Sequence, residues 1–208
     1  MAPRRRVVEA VLLTPGAGGT SEHHVLRAIE ESLARIPVRR MDFPYRLAGR
    51  RAPDRAPVLI ASIRAELESL CLEVGTSADR VILGGRSMGG RMCSMAVAEG
   101  LPAAGLVLLS YPLHPPKDPQ RWRTEHFEGI DVPCLFVSGQ RDPFGSPEEL
   151  AAAAALIPAE VTSRELPGGH DPKAEHDPQI CEWVGEWIAG LRRPPRRASR
   201  GAAGRRAG

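Results

Sequence analysis

The sequence predicts an α/β protein: a three-layer α/β/α sandwich around a mostly parallel sheet of about six strands. Two observations carry this. Short, nearly continuous apolar runs alternate with longer segments of helical spacing from residue 7 to residue 191. Strands that are apolar along their whole length belong to parallel sheets covered by helices on both faces. In such sheets ligands bind beyond the carboxyl ends of the strands. The segments to watch are therefore the loops PGAGG, DFPYR, GRSMGG, SYPLHPP, SGQRDPFG and LPGGHDP.

Each element has its own signal. VVEAVLL (7–13) reads as a buried strand, and HHVLRAIEESLARI (23–36) as a helix. VRRMDF (38–43) reads as a second, more polar strand. PVLIASIRAELESLCLEV (57–74) reads as a long amphipathic helix. RVILGG (80–85) is a third strand, with a helix over 88–99. AGLVLLSYP (104–112) and VPCLFVSG (132–139) are the fourth and fifth strands. SPEELAAAAALI (146–157) starts with a serine cap and acids in its first turn, which marks a helix N-terminus. VTSREL (161–166) is a sixth strand, and ICEWVGEWIAGL (180–191) is a closing helix.

The 208 residues suit one domain, read here as 1–191, followed by a basic tail at 192–208 that is disordered by composition. The tail RRPPRRASRGAAGRRAG holds seven arginines and no acid; removing its +7 from the total of +3 leaves −4 for residues 1–191. A mildly acidic domain with 4% aromatic residues has little to offer nucleic acid, so no specific nucleic-acid partner is expected. Cys71, Cys93, Cys134 and Cys181 lie far apart without a CxxC pair, which reads as buried free thiols. No run reaches the roughly 18 apolar residues of a membrane span, and Glu9 interrupts the first apolar run, so a cytoplasmic protein is expected. His23 and His24 begin a helix and read as surface residues, and His126 and His176 have no metal-ligand partners at useful spacing, so no metal or cofactor is expected. A homodimer is compatible with the composition.

Gly85-Arg86-Ser87-Met88-Gly89 matches G-x-S-x-G, a short and common string. Its context is more telling. The chemistry needs the serine on a strained strand-to-helix turn, flanked by small residues where helix and strand nearly touch. Both flanks comply. The competing reading is a glycine-rich turn with an incidental serine. A serine hydroxyl is a poor nucleophile at neutral pH and needs a base, which in turn needs an orienting acid. Asp142 follows the fifth strand and His170 the sixth, in the chain order Ser, Asp, His, at the same sheet edge. A tetrahedral intermediate needs two N–H donors. Met88 supplies one, and Ala17 in the loop after the first strand is expected to supply the other, with Gly16 shaping the turn. Tyr111, His114 and Trp122 are candidates for the substrate rim. Arg86 is a candidate for recognising an anionic substrate, its competing role being an ion pair with a nearby acid.

TPGAGGTS also invites a dinucleotide-binding reading, with Arg39 and Arg40 near a 2′-phosphate. Ser21 stands where the third glycine belongs, and that reading leaves Ser87, Asp142 and His170 without a role.

With these residues assembled, LLTPGAGG, GGRSMGGR, LSYPLHPP, RTEHF, VPCLFVSGQRDPFG and the GGH turn make the chain resemble the small α/β-hydrolases. It is similar to their dienelactone-hydrolase-like branch, and more closely to the predicted hydrolases of the KANL/Tex type. The resemblance covers roughly residues 7–190. It implies a minimal fold without a cap domain, a Ser87–Asp142–His170 triad and a small acyl substrate. Dienelactone hydrolases proper use a cysteine nucleophile, so Ser87 does not imply a dienelactone substrate. Some relatives serve in protein complexes, which leaves a hydrolase-fold interaction module without turnover as the alternative to a serine esterase or thioesterase.

Overall fold

The structure, a computed structural model, describes residues 7–191. The expectation of a disordered basic tail at 192–208 lies outside the described residues.

Six strands form one wholly parallel sheet. They are β1 (Ala10–Thr14), β2 (Val38–Arg40), β3 (Val81–Arg86), β4 (Gly105–Leu109), β5 (Cys134–Gly139) and β6 (Val161–Leu166), in the spatial order β2-β1-β3-β4-β5-β6. Among the described residues the helices are α1 (His24–Ser32), α2 (Pro44–Leu47), α3 (Ala56–Val74), α4 (Met88–Ala98), α5 (Pro147–Ala154) and α6 (Asp177–Leu191). Among the described residues only a loop with a short 3-10 turn at Phe127–Gly129 joins β4 to β5, where a cap domain would be inserted.

Side chains alternate across a strand, so each apolar strand serves two cores. Ala10 and Leu12 of β1, Leu106 and Leu108 of β4, and Cys134 and Phe136 of β5 face the α3, α4 and α5 layer. Their neighbours Val11, Leu13, Val107, Leu109, Leu135 and Val137 face α1 and α6. Each fully buried aliphatic side chain contributes roughly 1.5–3 kcal/mol. The edge strands β2 and β6 carry polar residues because only one of their long sides is paired.

Local chemistry sets the ends. Gly75 closes α3 in a left-handed conformation, φ 71°. Ser146 opens α5 with a full capping box to Glu149, as its sequence implied. The second strand is shorter than its 38–43 pattern: Asp42 turns away to accept hydrogen bonds from the backbone N–H and hydroxyl of Ser21, at 2.7 and 2.8 Å. Pro44 then starts the short helix α2, which no periodicity signals. Cys71, Cys93 and Cys181 are free thiols. Cys93 and Cys134 are buried as expected, whereas Cys71 and Cys181 are only half-buried.

Candidate active site

The loop after β3 is the sharpest feature of the sheet edge. Ser87 has φ 50° and ψ −119°, outside the regions an L-residue prefers, at a cost of about 1–3 kcal/mol. The turn is held by Ser87 N–H donating to the Leu109 carbonyl (2.8 Å) and by Arg91 N–H donating to the Ser87 carbonyl (3.1 Å). Gly85 and Gly89 flank it because β1 passes directly beneath. A Cβ on Gly89 would stand 2.5 Å from the Pro15 carbonyl oxygen, and a Cβ on Gly85 would stand 2.5 Å from that of Thr14.

Serine is a favoured helix cap, and Ser87 occupies the N-cap of α4. Its hydroxyl nonetheless makes no capping hydrogen bond. It lies 2.8 Å from Nε2 of His170. Nδ1 of His170 is 2.8 and 3.0 Å from the two carboxylate oxygens of Asp142. The Asp142 side chain is 1% exposed, and its Oδ1 also accepts the Phe144 N–H at 2.8 Å. Phe144 packs against the His170 ring with centroids 4.1 Å apart. Arg141 N–H donates to the Gly168 carbonyl at 2.8 Å, tying the aspartate loop to the histidine loop. Ser87, Asp142 and His170 thus meet in one line of hydrogen bonds from three strand ends.

Ala17 and Met88 line the same cavity as Ser87. Neither backbone N–H has an acceptor among the described residues. Met88 is the first residue of α4, where N–H groups lack helical partners. The Ala17 peptide is oriented by Tyr45, whose hydroxyl donates to the Ala17 carbonyl at 2.7 Å. Sequence reasoning gave Tyr45 no role.

The cavity measures about 500 Å³ and is also lined by Arg91, Pro112, Arg121, Trp122, Arg123, Glu125 and Phe144. Trp122 sits there as expected. Tyr111, His114 and Arg86 do not. Tyr111 is 2% exposed, packs edge-on against Phe127 and Phe136, and donates its hydroxyl to the Arg123 carbonyl at 3.1 Å. His114 is buried, with Nε2 3.3 Å from Glu149 at the head of α5. Arg86 makes the ion pair that competed with its recognition role, at 2.8 Å to Asp171. Apolar packing draws Tyr111 into the core, and nearby carboxylates hold His114 and Arg86.

His23, His24 and Asp171 bring one potential metal-ligand atom each within 4.8 Å of the others. Their hydrogen bonds assign these atoms otherwise. His23 Nδ1 accepts the Val25 N–H, which leaves the proton on Nε2, directed at Asp171. Asp171 is in turn paired with Arg86. Burial, helped by the Arg86 charge, pushes the His23 pKa down. The dinucleotide reading loses its cations as well. Arg40 is paired with Glu22 at 2.8 Å and Glu30 at 2.6 Å, and Arg39 with Glu66 and Glu73.

Comparison with known proteins adds the following. A family model described as "Alpha/beta hydrolase domain" matches residues 7–179. Among solved structures, Est1E from Butyrivibrio proteoclasticus superposes with a TM-score of 0.69 at 17% identity, covering 91% of each chain. A dienelactone hydrolase from Anabaena variabilis gives 0.69 at 18% identity, covering 88% of this chain and 87% of its own. The RedJ thioesterase of the prodiginine pathway in Streptomyces coelicolor gives 0.62 at 18% identity, covering 89% and 88%. At these identities the likeness is one of fold.

Proposed function

Because the chain belongs to the alpha/beta hydrolase domain family and shares its fold with a dienelactone hydrolase, we propose that it is a serine hydrolase of an ester, thioester or related acyl bond. The observation that carries this reading is the direction of the Ser87 hydroxyl. In a strained turn at a helix N-cap, it forgoes the cap and faces His170 Nε2 at 2.8 Å. A turn built only to join strand to helix has no use for that geometry.

The steps follow from the positions. Ser87 Oγ attacks the acyl carbon while His170 Nε2 takes its proton. Asp142 accepts the His170 Nδ1 proton in a hydrogen bond, fixes the tautomer and stabilises the imidazolium that forms. The N–H groups of Met88 and Ala17 receive the oxyanion. The tetrahedral adduct collapses, and the leaving alcohol or thiol takes the proton from His170. Water, deprotonated by the same imidazole, then adds to the acyl carbon, and the acid leaves as the bond to Ser87 Oγ breaks and Oγ takes the proton back from His170. With no cap domain over the described residues, the site faces a cavity of about 500 Å³, a size suited to a small acyl substrate.

Labelling by a fluorophosphonate tests this, because the probe reacts with an activated serine and not with an ordinary one. Folded wild type is expected to label. Ser87→Ala, His170→Ala and heat-denatured protein are expected to lose at least about 10³-fold in labelling rate. Folded wild type that stays unlabelled overturns the reading and favours an interaction module on a hydrolase fold. A panel of acyl esters and thioesters then sorts the leaving groups.

A further inference from the structure

The cavity beside Ser87 has an unbalanced wall. Three guanidinium side chains, Arg91, Arg121 and Arg123, line it against a single acid, the exposed Glu125. Across the sheet edge, Arg86 beside Ser87 has its own carboxylate, Asp171 at 2.8 Å. Among the described residues no carboxylate lies within 4.0 Å of Arg91, Arg121 or Arg123. Arg91 Nε is buried without a hydrogen-bond partner. Arg123 donates one side-chain hydrogen bond, to the Pro112 carbonyl at 3.3 Å. Their neighbours register the field. Burial, with the charges of Arg91 and Arg121 adding to it, pushes the Arg123 pKa down. Burial and Arg91 push His126 to about 4.

Partly desolvated cations without a counter-ion are costly, and a guanidinium binds an oxyanion with two parallel hydrogen bonds. Arg91 lies four residues after Ser87 on α4, one helical turn away and on the same face. Arg91 and Arg123 line the same cavity as Ser87, so an anion they hold shares that cavity with a carbonyl at Ser87.

We propose that the acyl compound hydrolysed at Ser87 carries an oxyanionic group, a carboxylate or a phosphate, near its scissile carbonyl, and that Arg91 and Arg123 hold it with Arg121 at the mouth. This rests on the serine-hydrolase reading above. Glu125 opposes the anion and narrows the choice to substrates whose charge sits on the arginine side.

The experiment compares p-nitrophenyl hemiglutarate with p-nitrophenyl valerate, equal in chain length but different in charge. The expected kcat/KM ratio favours the hemiglutarate by at least about tenfold in wild type. Arg91→Gln and Arg123→Gln are each expected to cut that ratio about tenfold. Glu125→Gln is expected to raise it, a gain that misfolding cannot imitate. Arg27→Gln, on the opposite layer, serves as the control. Protection from fluorophosphonate labelling by glutarate or by inorganic phosphate tells which anion is held. Equal rates on the two esters in a labelled, active wild type overturn this inference and leave the hydrolase reading intact. If wild type neither labels nor turns over, the hydrolase reading falls. Calorimetric titration with glutarate and with phosphate then decides the anion site alone. Saturable binding lost in Arg91→Gln supports it, and no saturable binding overturns it.

Discussion

Two stretches of chain border the same cavity and obey different rules. In the stretch 84–91, backbone contact dictates residue type. Thr14 and Pro15 press on Gly85 and Gly89, and Ser87 is held at φ 50° between them. In the stretch 111–126, side-chain environment dictates direction. Tyr111 turns into the core, His114 turns to Glu149, and Trp122 and Arg123 turn to the cavity. On the proposed reading, the first stretch fixes where a bond is made or broken, and the second fixes what is brought there. Position is written in glycine spacing, whereas recognition is written in loop packing that neighbours decide.

The contrast is sharpest for Gly89→Ala. If backbone contact rules that stretch, the added methyl costs about 3 kcal/mol and abolishes labelling, read by urea midpoint and by the fluorophosphonate assay. A variant as stable as wild type would break the comparison. Tyr45→Phe tests the same principle at one remove. Losing the hydrogen bond to the Ala17 carbonyl is expected to cost about 1 kcal/mol of stability. It is also expected to lower kcat about tenfold with KM little changed, because the bond anchors the residue whose own N–H is proposed to meet the oxyanion. A third effect, confined to acid pH, belongs to the second stretch. His126 has a folded pKa of about 4 against 6.5 for the free side chain, so the neutral ring is the native form. The unfolded chain binds the proton first, and native stability drains as pH falls from 6.5 towards 4. His126→Gln removes that loss. Its melting temperature is therefore expected to gain on wild type across this window, and parallel melting curves would show that His126 is not held neutral.

Much of this was legible before any coordinates. The alternating apolar strands announced both cores, since Leu12 and Leu13 each fill one. Ser87, Asp142 and His170 stood just beyond strand ends, where a parallel sheet must bring them to one edge. Helix α2 was invisible because four residues carry no period. Tyr45 and Phe144 were missed because their work is done through tertiary contact. Tyr111 misled because an aromatic at a catalytic edge packs inward as readily as outward. Arg91 had a readable signal: its spacing of four from Ser87 places both on one face of a helix.

The sheet order carries a kinetic consequence. The chain runs from β1 outward to β2 and then returns past β1 to lay down β3. Thr14 is the last residue of β1, and its hydroxyl donates to the Gly84 carbonyl at 3.0 Å. Residues about seventy positions apart must therefore meet before Ser87 has its turn or Ala17 its place. Such distant pairings form slowly and together with the rest of the sheet. A fragment of this chain that lacks β1 or β3 cannot form the Ser87 turn. Regain of fluorophosphonate reactivity on refolding should follow the same single rate as regain of tertiary structure, which makes the serine its own clock for the completed fold.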